Sequence, residues 1–215
     1  DLINAIADEA GFELEFQNSN FDGIIPGLQT NSYDLAIAGI GITEERAQSI
    51  DYSDPYYQAG LITAVREDNT DINSVEDLDG KTVSTRMGST SQQYLEENFP
   101  DAEIQPYEQL EQVYLAVENG RADATLYDEP NIAYYIETQG DSLKMVGEAV
   151  DAVDFGIAFP KGSDDLREAV NEALATLKED GTYDEIHSKW FGDAPEDDGA
   201  TDTDTEDDNT EEDNN

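Results

Sequence analysis

Hydrophobic residues recur along this chain with two different periods, one typical of helices and one typical of strands. Residues 164–179 repeat apolar side chains every three or four positions, which predicts a long amphipathic helix, and Gly181 follows its end. Residues 34–39 instead form a nearly continuous apolar run, typical of a parallel strand buried on both faces. The same patterns predict further helices at 2–10, 24–28, 44–48, 74–78, 88–98, 110–119, 129–139 and 183–190, and further strands at 12–16, 61–65, 82–85, 104–107, 122–127, 143–146 and 155–159.

The order of these elements favours one fold class. Strands and helices alternate along residues 1–192, which predicts α/β layers around mostly parallel sheets, and the length allows one or two domains. From Asp193 onward the chain has 12 acidic residues, no basic residue and almost no apolar residue. We therefore predict that residues 193–215 form a disordered acidic tail.

The charge composition excludes several classes of partner. The chain has 52 Asp and Glu residues against 10 Lys and Arg, a formal net charge of −42. Nucleic-acid phosphates and anionic membrane surfaces would repel such a protein. Disulfides and thiolate metal sites are excluded because there is no cysteine, and no apolar run approaches the ~18 residues of a membrane-spanning helix.

The acidic residues also indicate adaptation to high salt. Pairs such as Glu44-Glu45, Glu96-Glu97 and Asp164-Asp165 are spread along the whole body of the chain, and their mutual repulsion destabilises a compact state in dilute buffer. The alternative is an ordinary acidic protein. Since the Debye length falls to ~3 Å at 1 M salt, we expect the melting temperature to rise through a sodium chloride series. A melting temperature that does not respond to salt would exclude this adaptation.

Catalytic chemistry has little support in the sequence. The one histidine, His187, falls on the polar side of the last predicted helix, where a solvated residue is the simpler interpretation than a general base. No nucleophile-elbow or Walker-type motif is present. Residues 202–206 have a trace of calcium-loop spacing, but Asp207 occupies the position of the required glycine. We predict no metal and no cofactor.

Two features do suit a small anionic or zwitterionic ligand. Arg46 follows a buried strand, at the place where open α/β sheets bind ligands, and its planar guanidinium suits a carboxylate. Residues 86–91, Arg-Met-Gly-Ser-Thr-Ser, form a strand-to-helix junction whose backbone N–H groups can face an anion. Each feature has an ordinary alternative: Arg46 as a surface ion pair with Glu44 or Asp51, and Ser89 as a helix N-cap.

These residues belong to longer stretches that carry a resemblance. The sequence resembles the extracellular solute-binding proteins of polar amino-acid ABC transporters (family 3), and within them the glutamine-binding proteins most closely. The matching stretches begin with FDGIIPGLQTNSYDLAIAGIGITEERAQSIDYSDPYYQAG and end with a segment finishing in HSKWFG, and together they cover nearly all of residues 1–192. They lie at 21–60, 72–94, 119–136 and 156–192.

The resemblance implies a two-lobed fold of the type II periplasmic-binding-protein kind. Lobe 1 would combine residues 1–57 with 157–192, and lobe 2 would span 61–153. Two crossovers near 56–60 and 152–156 would join the lobes, with Gly60 and Gly156 able to accommodate hinge rotation. The family's first strand has no counterpart here, so we expect an unpaired strand in lobe 1, and either a fragment or impaired binding.

The resemblance also implies a set of ligand-binding residues. Arg46 would bind the α-carboxylate of an amino acid and Asp128 its α-ammonium, whereas the ordinary alternative for Asp128 is an N-cap of the helix that follows. Phe21 would pack on the ligand, although it could equally be a core aromatic. The remaining implied positions are the backbone of Gly39 and Gly41, the lobe-2 donors Ser89 and Thr90, and the side-chain pocket residues Arg86 and Tyr127.

Some of these positions depart from the family pattern. Gly41 stands where a hydroxyl residue is usual, which removes one hydrogen bond to the ligand carboxylate. Arg86 and Tyr127 replace a lysine and a histidine of the glutamine-binding proteins, so specificity for glutamine does not follow. An acidic ligand side chain facing Arg86 fits this change.

We therefore predict a non-catalytic receptor that captures a polar L-amino acid and delivers it to an ABC transporter permease. The resemblance implies a monomer outside the cytoplasm, held by a lipid anchor at an N-terminus that this sequence lacks. One alternative is an enzyme on the same fold that resembles cyclohexadienyl dehydratase, with Asp128 as its acid. A ligand-sensing domain of a membrane receptor is the other, and the acidic tail weighs against it.

Overall fold

The fold is that of a computed structural model, which describes residues 1–140 and 142–191. The acidic tail and its calcium-loop spacing lie outside these residues. The helices are α1 (Leu2–Ala10), α2 (Ile24–Gln29), α3 (Glu44–Ala47), α4 (Thr90–Asn98), α5 (Leu110–Glu118), α6 (Glu129–Gln139), α7 (Asp164–Glu179) and α8 (Thr182–Phe191), with 3₁₀ turns at Phe21–Gly23 and Val75–Leu78. The strands are β1 (Ala36–Gly41), β2 (Ile50–Tyr52), β3 (Tyr57–Arg66), β4 (Thr82–Arg86), β5 (Glu103–Tyr107), β6 (Ala124–Asp128) and β7 (Leu143–Pro160).

Apolar side chains collect into cores in two parts of the molecule. Lobe 1, built on α1, α2, β1, β2, α7, α8 and the end of β7, buries residues such as Ile6, Ile157 and Phe159. Lobe 2, built on β4, β5, β6, α4, α5 and α6 with most of β3, buries residues such as Leu126 and Leu143. Because each lobe has its own buried core, the surfaces between the lobes are free to form a site.

The two long strands β3 and β7 run between the lobes. They pair antiparallel from Tyr57 with Phe155 to Arg66 with Leu143. The prediction of two separate strands at 143–146 and 155–159 was therefore wrong, since β7 is continuous over 18 residues. The middle of β7 carries exposed polar side chains, so the pattern of hydrophobic residues does not identify it as a strand. Its backbone hydrogen bonds to β3 keep it extended.

The sheet is less parallel than the sequence pattern predicts. Its strand order is β1-β7-β3-β6-β4-β5, with β2 also pairing with β7. Among the strands of the described residues, only β4 pairs in parallel, with β5 and with β6, whereas β1, β2 and β3 pair antiparallel. The residues of β1 were expected to form a buried parallel strand; β1 instead pairs antiparallel with β7, and it is buried mainly at its end.

The segment 12–16 is not a strand, contrary to prediction. Phe12 and Leu14 are partly buried against the core of α1 and α7, while Phe16 is 68% exposed, so the alternation of the segment arises from packing alone. Within the described part of the chain, β1 pairs only with β7 and no strand lies along its other edge. The segment therefore has no ladder to join.

Candidate functional site

Three of the predicted site residues meet between the lobes. Phe21, in a 3₁₀ turn of lobe 1, presents its ring to two arginines, one from each lobe. The Cζ atom of Arg46 lies 5.8 Å from the centre of the Phe21 ring, and that of Arg86 lies 4.9 Å from it. Phe21 is also buried against the core residues of lobe 1, so the core-aromatic alternative and the site position are compatible.

Arg46 connects the two lobes through its guanidinium. Thr43 caps α3 by accepting a hydrogen bond from the Arg46 backbone at 3.2 Å, which fixes where the side chain starts. Nη1 then donates to the carbonyl of Gly41 at 3.0 Å, and Nη2 donates to the carbonyl of Gly88 in lobe 2 at 2.9 Å. The alternative, a surface ion pair with Glu44 or Asp51, is wrong, because among the described residues neither carboxylate pairs with Arg46 and Asp51 pairs with Lys161.

Asp128 comes from the opposite lobe and is almost completely buried. It ends β6 and is 5% exposed. It occupies the N-cap position of α6, but its side chain makes no capping hydrogen bond, which contradicts the predicted ordinary role. Burial raises the pKa of Asp128 to about 7, although the charges of Arg46 and Arg86 oppose the shift. Keeping this carboxylate ionised in a buried position therefore costs free energy, which a nearby ligand cation can offset.

The predicted contact of Asp128 with a ligand ammonium would make ligand affinity depend on pH. Because an ammonium favours the ionised carboxylate and burial raises the pKa of Asp128 to about 7, the carboxyl would have to lose its proton on binding below about pH 7. We expect the association constant of an amino acid to fall by up to about tenfold per pH unit as the pH decreases from 7 towards 5. Calorimetric titrations at pH 5, 6, 7 and 8 measure this. An affinity that stays constant across the series, or a slope that persists in Asp128→Asn, would contradict the role given to Asp128.

Two tyrosines that the sequence analysis missed hold the end of β1. Tyr56 accepts a hydrogen bond from the N–H of Gly39 at 3.0 Å, and Tyr52 donates to the carbonyl of Gly41 at 3.1 Å. Burial raises the pKa of Tyr56 to about 12, so its hydroxyl stays neutral. The predicted ligand contact of the Gly39 backbone therefore competes with Tyr56.

The turn at the start of α4 has a structural role as well as its place in the cleft. Ser89 is buried and caps α4, accepting from the N–H of Gln92 at 3.2 Å and donating to the carbonyl of Arg86 at 2.7 Å. The N-cap alternative for Ser89 is therefore what the structure shows. Thr90 faces Gly41 across the cleft, and a Cβ atom at Gly41 would lie 3.1 Å from the Thr90 methyl group. This close approach accounts for the glycine at position 41.

An apolar cavity of about 520 Å³ adjoins these residues. Gly39, Tyr127 and Asp128 line it, whereas the other predicted site residues do not. Its remaining wall is largely aromatic, and His187 belongs to that wall by stacking on Tyr57 with ring centres 5.8 Å apart. His187 is half-buried, so the expected solvated residue keeps part of its exposure but also packs on aromatic rings, which the sequence pattern did not predict.

Hydrogen bonds of the residue next to Phe21 also join the two lobes. Asn20 of lobe 1 donates to Glu108 at 3.0 Å and accepts from Gln109 at 2.7 Å, both in lobe 2. Across residues 1–140 and 142–191, no cluster of metal-binding side chains is present and no helix has the length and apolarity to cross a membrane. The arrangement as a whole suits a small molecule with both positive and negative groups.

Comparisons with known proteins agree with this geometry. The family model of the bacterial extracellular solute-binding proteins, family 3, matches residues 1–193. The L-cystine-binding protein TcyJ of Escherichia coli K12 is 31% identical over 193 residues, which are 89% of this chain and 73% of that protein. The glutamine-binding protein GlnH of Bacillus subtilis 168 is 35% identical over 172 residues, covering 80% of this chain and 62% of that protein.

Solved structures show the same fold. An ancestral arginine-binding protein bound to arginine superposes with a TM-score of 0.84 and 40% identity, covering 89% of this chain and 86% of that one. The GluR0 ligand-binding core of Nostoc punctiforme, in complex with L-glutamate, has a TM-score of 0.83 and 36% identity, covering 89% of each chain. An ancestral amino acid-binding protein described as a precursor of cyclohexadienyl dehydratase has a TM-score of 0.82 and 39% identity, covering 88% of this chain and 83% of that one.

These comparisons confirm the predicted family, the two-lobed fold and the prediction that the chain is not an enzyme, since the curated relatives are transport binding proteins. They do not confirm specificity for glutamine, because cystine-, arginine- and glutamine-binding proteins all match.

Proposed function

Because the chain belongs to the bacterial extracellular solute-binding proteins, family 3, we propose that it captures a polar L-amino acid between its lobes and delivers it to the permease of an ABC transporter. One observation carries this proposal. The half-buried cation Arg46 of lobe 1 lies close enough to the buried carboxyl of Asp128 of lobe 2 for its charge to lower the pKa of that carboxyl.

In the proposed mechanism, Arg46 and Asp128 bind opposite ends of the ligand. The ligand carboxylate takes the place of the Gly41 and Gly88 carbonyls at the Arg46 guanidinium, which suits two parallel hydrogen bonds. The ligand ammonium pairs with Asp128, and the Phe21 ring covers the alkyl part. Because the two charged groups belong to different lobes, the ligand binds the closed form better than the open form and shifts the population towards closure.

Lobe movement in this mechanism needs two flexible connections. We propose lobe boundaries at 1–57 with 157–192, and at 61–153, with crossovers near residues 56–60 and 152–156. Gly60 and Gly156 lie in these crossovers, and a Cβ atom would lie 2.9 Å from Ala149 at the first and 2.9 Å from Tyr52 at the second. A larger residue at either position would disturb the paired strands that must bend.

Further parts of the proposal follow from the family. We propose that Ser89, Thr90 and the backbone at Gly39 and Gly41 complete the ligand contacts, and that Arg86 and Tyr127 meet the ligand side chain. The protein would act as a monomer outside the cytoplasm, attached to the membrane by a lipid. Adaptation to high salt stays a prediction that the salt series tests.

A ligand screen tests the proposed function. Thermal-shift measurements with each of the twenty amino acids, in high salt at pH 8, are expected to show stabilisation by one or a few polar L-amino acids, because a ligand that binds only the folded state raises its stability. The D-enantiomers serve as the matched control. Absence of stabilisation by every amino acid, or equal stabilisation by the D-enantiomers, would contradict the proposed function.

A further inference from the structure

The cleft contains more positive charge than a simple amino-acid head group can neutralise. Arg46 and Arg86 both lie against Phe21, and Asp128 is the buried carboxylate beside them. A zwitterion would pair its carboxylate with Arg46 and its ammonium with Asp128. The guanidinium of Arg86, which is half-buried, would then stay without a counter-charge, which costs free energy.

No residue that the structure describes forms an ion pair with Arg86. In the described part of the chain, ion pairs are formed by Lys161 with Asp51, by Lys189 with Asp1, by Arg66 with Asp68 and by Arg167 with Asp164, but none includes Arg86. Asp128 is near enough for the Arg86 charge to lower the pKa of its carboxyl, but the two side chains form no ion pair.

The surroundings of Arg86 point to a ligand as the missing partner. The residue ends β4, and its Nε atom is buried without a hydrogen-bond acceptor. Besides Phe21, its neighbours are the phenol of Tyr114, the phenol of Tyr127, which is within hydrogen-bond reach, and the carboxyl of Asp128. Burial keeps both phenols neutral, so neither supplies a negative charge. An unpaired buried donor on a cation is best satisfied by a carboxylate that arrives from solution.

We propose that the ligand is a dicarboxylic L-amino acid, glutamate or aspartate, whose side-chain carboxylate binds Arg86. This inference rests on the proposed function, since it uses the same cleft and the same contacts at Arg46 and Asp128. The two guanidiniums of the protein would then pair with the two carboxylates of the ligand, and the carboxylate of Asp128 would pair with the ligand ammonium. A cationic side chain, such as that of arginine, would meet repulsion from Arg86, and an amide would leave its charge uncompensated.

Calorimetric titration of the wild type and of Arg86→Gln at pH 8 tests this. The probes are L-glutamate, L-aspartate, L-glutamine and L-arginine. In the wild type, we expect the tighter of the two acidic ligands to bind about tenfold or more tightly than glutamine and arginine. In Arg86→Gln, we expect affinity for that acidic ligand to fall by about tenfold or more, and affinity for glutamine to change less than about threefold. Arg121→Gln, which alters an exposed arginine of the same lobe, is the matched control and is expected to keep the wild-type order.

Each other outcome would overturn the inference. If glutamine or arginine binds the wild type as tightly as the acidic ligands, the side-chain assignment is wrong while the proposed function stands. If Arg86→Gln weakens glutamate and glutamine equally, Arg86 supports Phe21 rather than the ligand side chain. If no amino acid binds at all, the proposed function fails as well. The order of affinities in the wild type decides the matter even if the variant does not fold.

Discussion

Replacing Arg46 with alanine is expected to abolish amino-acid binding. The substitution removes the cation that we assign to the ligand carboxylate, and it also removes the 2.9 Å hydrogen bond to Gly88 that joins the lobes. Loss of one member of a buried charge pair costs about 2–5 kcal/mol, which corresponds to an affinity decrease of roughly 30- to 5,000-fold. Isothermal titration calorimetry in high salt at pH 8 measures the effect.

The matched control for this variant is Arg167→Ala. Arg167 pairs with Asp164 one turn away on α7, where the two side chains are 38% and 70% exposed, and it contacts none of the proposed site residues, so its removal should leave affinity unchanged. Lysine at position 46 is a second test, because it keeps the charge but loses the planar pair of donors. Affinity close to that of the wild type in Arg46→Ala would refute the assignment of the carboxylate contact.

Replacing Asp128 with asparagine is expected to have two opposite effects. It should abolish ligand binding, because the ammonium loses its partner, and it should stabilise the ligand-free protein. The folded protein raises the pKa of this carboxyl from 3.8 to about 7. The free energy of unfolding therefore decreases as the pH rises from about 4 to 7 and this carboxyl ionises. The decrease is up to roughly 4 kcal/mol, at about 1.36 kcal/mol per pKa unit.

The pH dependence separates this effect from a general change in packing. At pH 4 the wild type carries a protonated Asp128, so the melting temperatures of wild type and variant should be similar. At pH 8 the variant should melt at the higher temperature. Glu118→Gln is a useful comparison, because Glu118 is a lobe-2 carboxylate outside the cleft that accepts a hydrogen bond from Tyr135. Equal melting temperatures for wild type and Asp128→Asn at pH 8, or retained ligand affinity in the variant, would contradict the prediction.

Local patterns of apolar residues predicted most elements of the fold, because each of those elements has one strongly apolar face. Helix α7 was predicted with both of its ends, since its apolar stripe packs on α1 and Gly181 follows it. The failures have a common cause. The middle of β7 is polar and is held by pairing with β3, and the alternation of residues 12–16 comes from packing without a ladder. Both outcomes depend on which partner strand is present, which a single segment does not encode.

The candidate site was predictable only in part for a similar reason. Arg46 stood out because cations are scarce and it follows a strand, but Asp128 and Phe21 were implied by the family resemblance. Contacts made by Tyr52 and Tyr56 had no signal in the sequence, because each depends on how β1 packs. The link from Asn20 to Glu108 spans 88 residues and exists only when the lobes meet.

The central claim is that Arg46 and Asp128 bind opposite ends of one amino acid, and analogues that lack one end test it most directly. The measurement is calorimetric titration of the wild-type protein at pH 8 with the amino acid that the screen ranks first, its decarboxylated amine and its deaminated acid. For glutamate these analogues are 4-aminobutyrate and glutarate. We predict that each analogue binds about 30-fold or more weakly than the amino acid, since each leaves one buried charge unpaired. Binding of either analogue within a few-fold of the amino acid would contradict the claim.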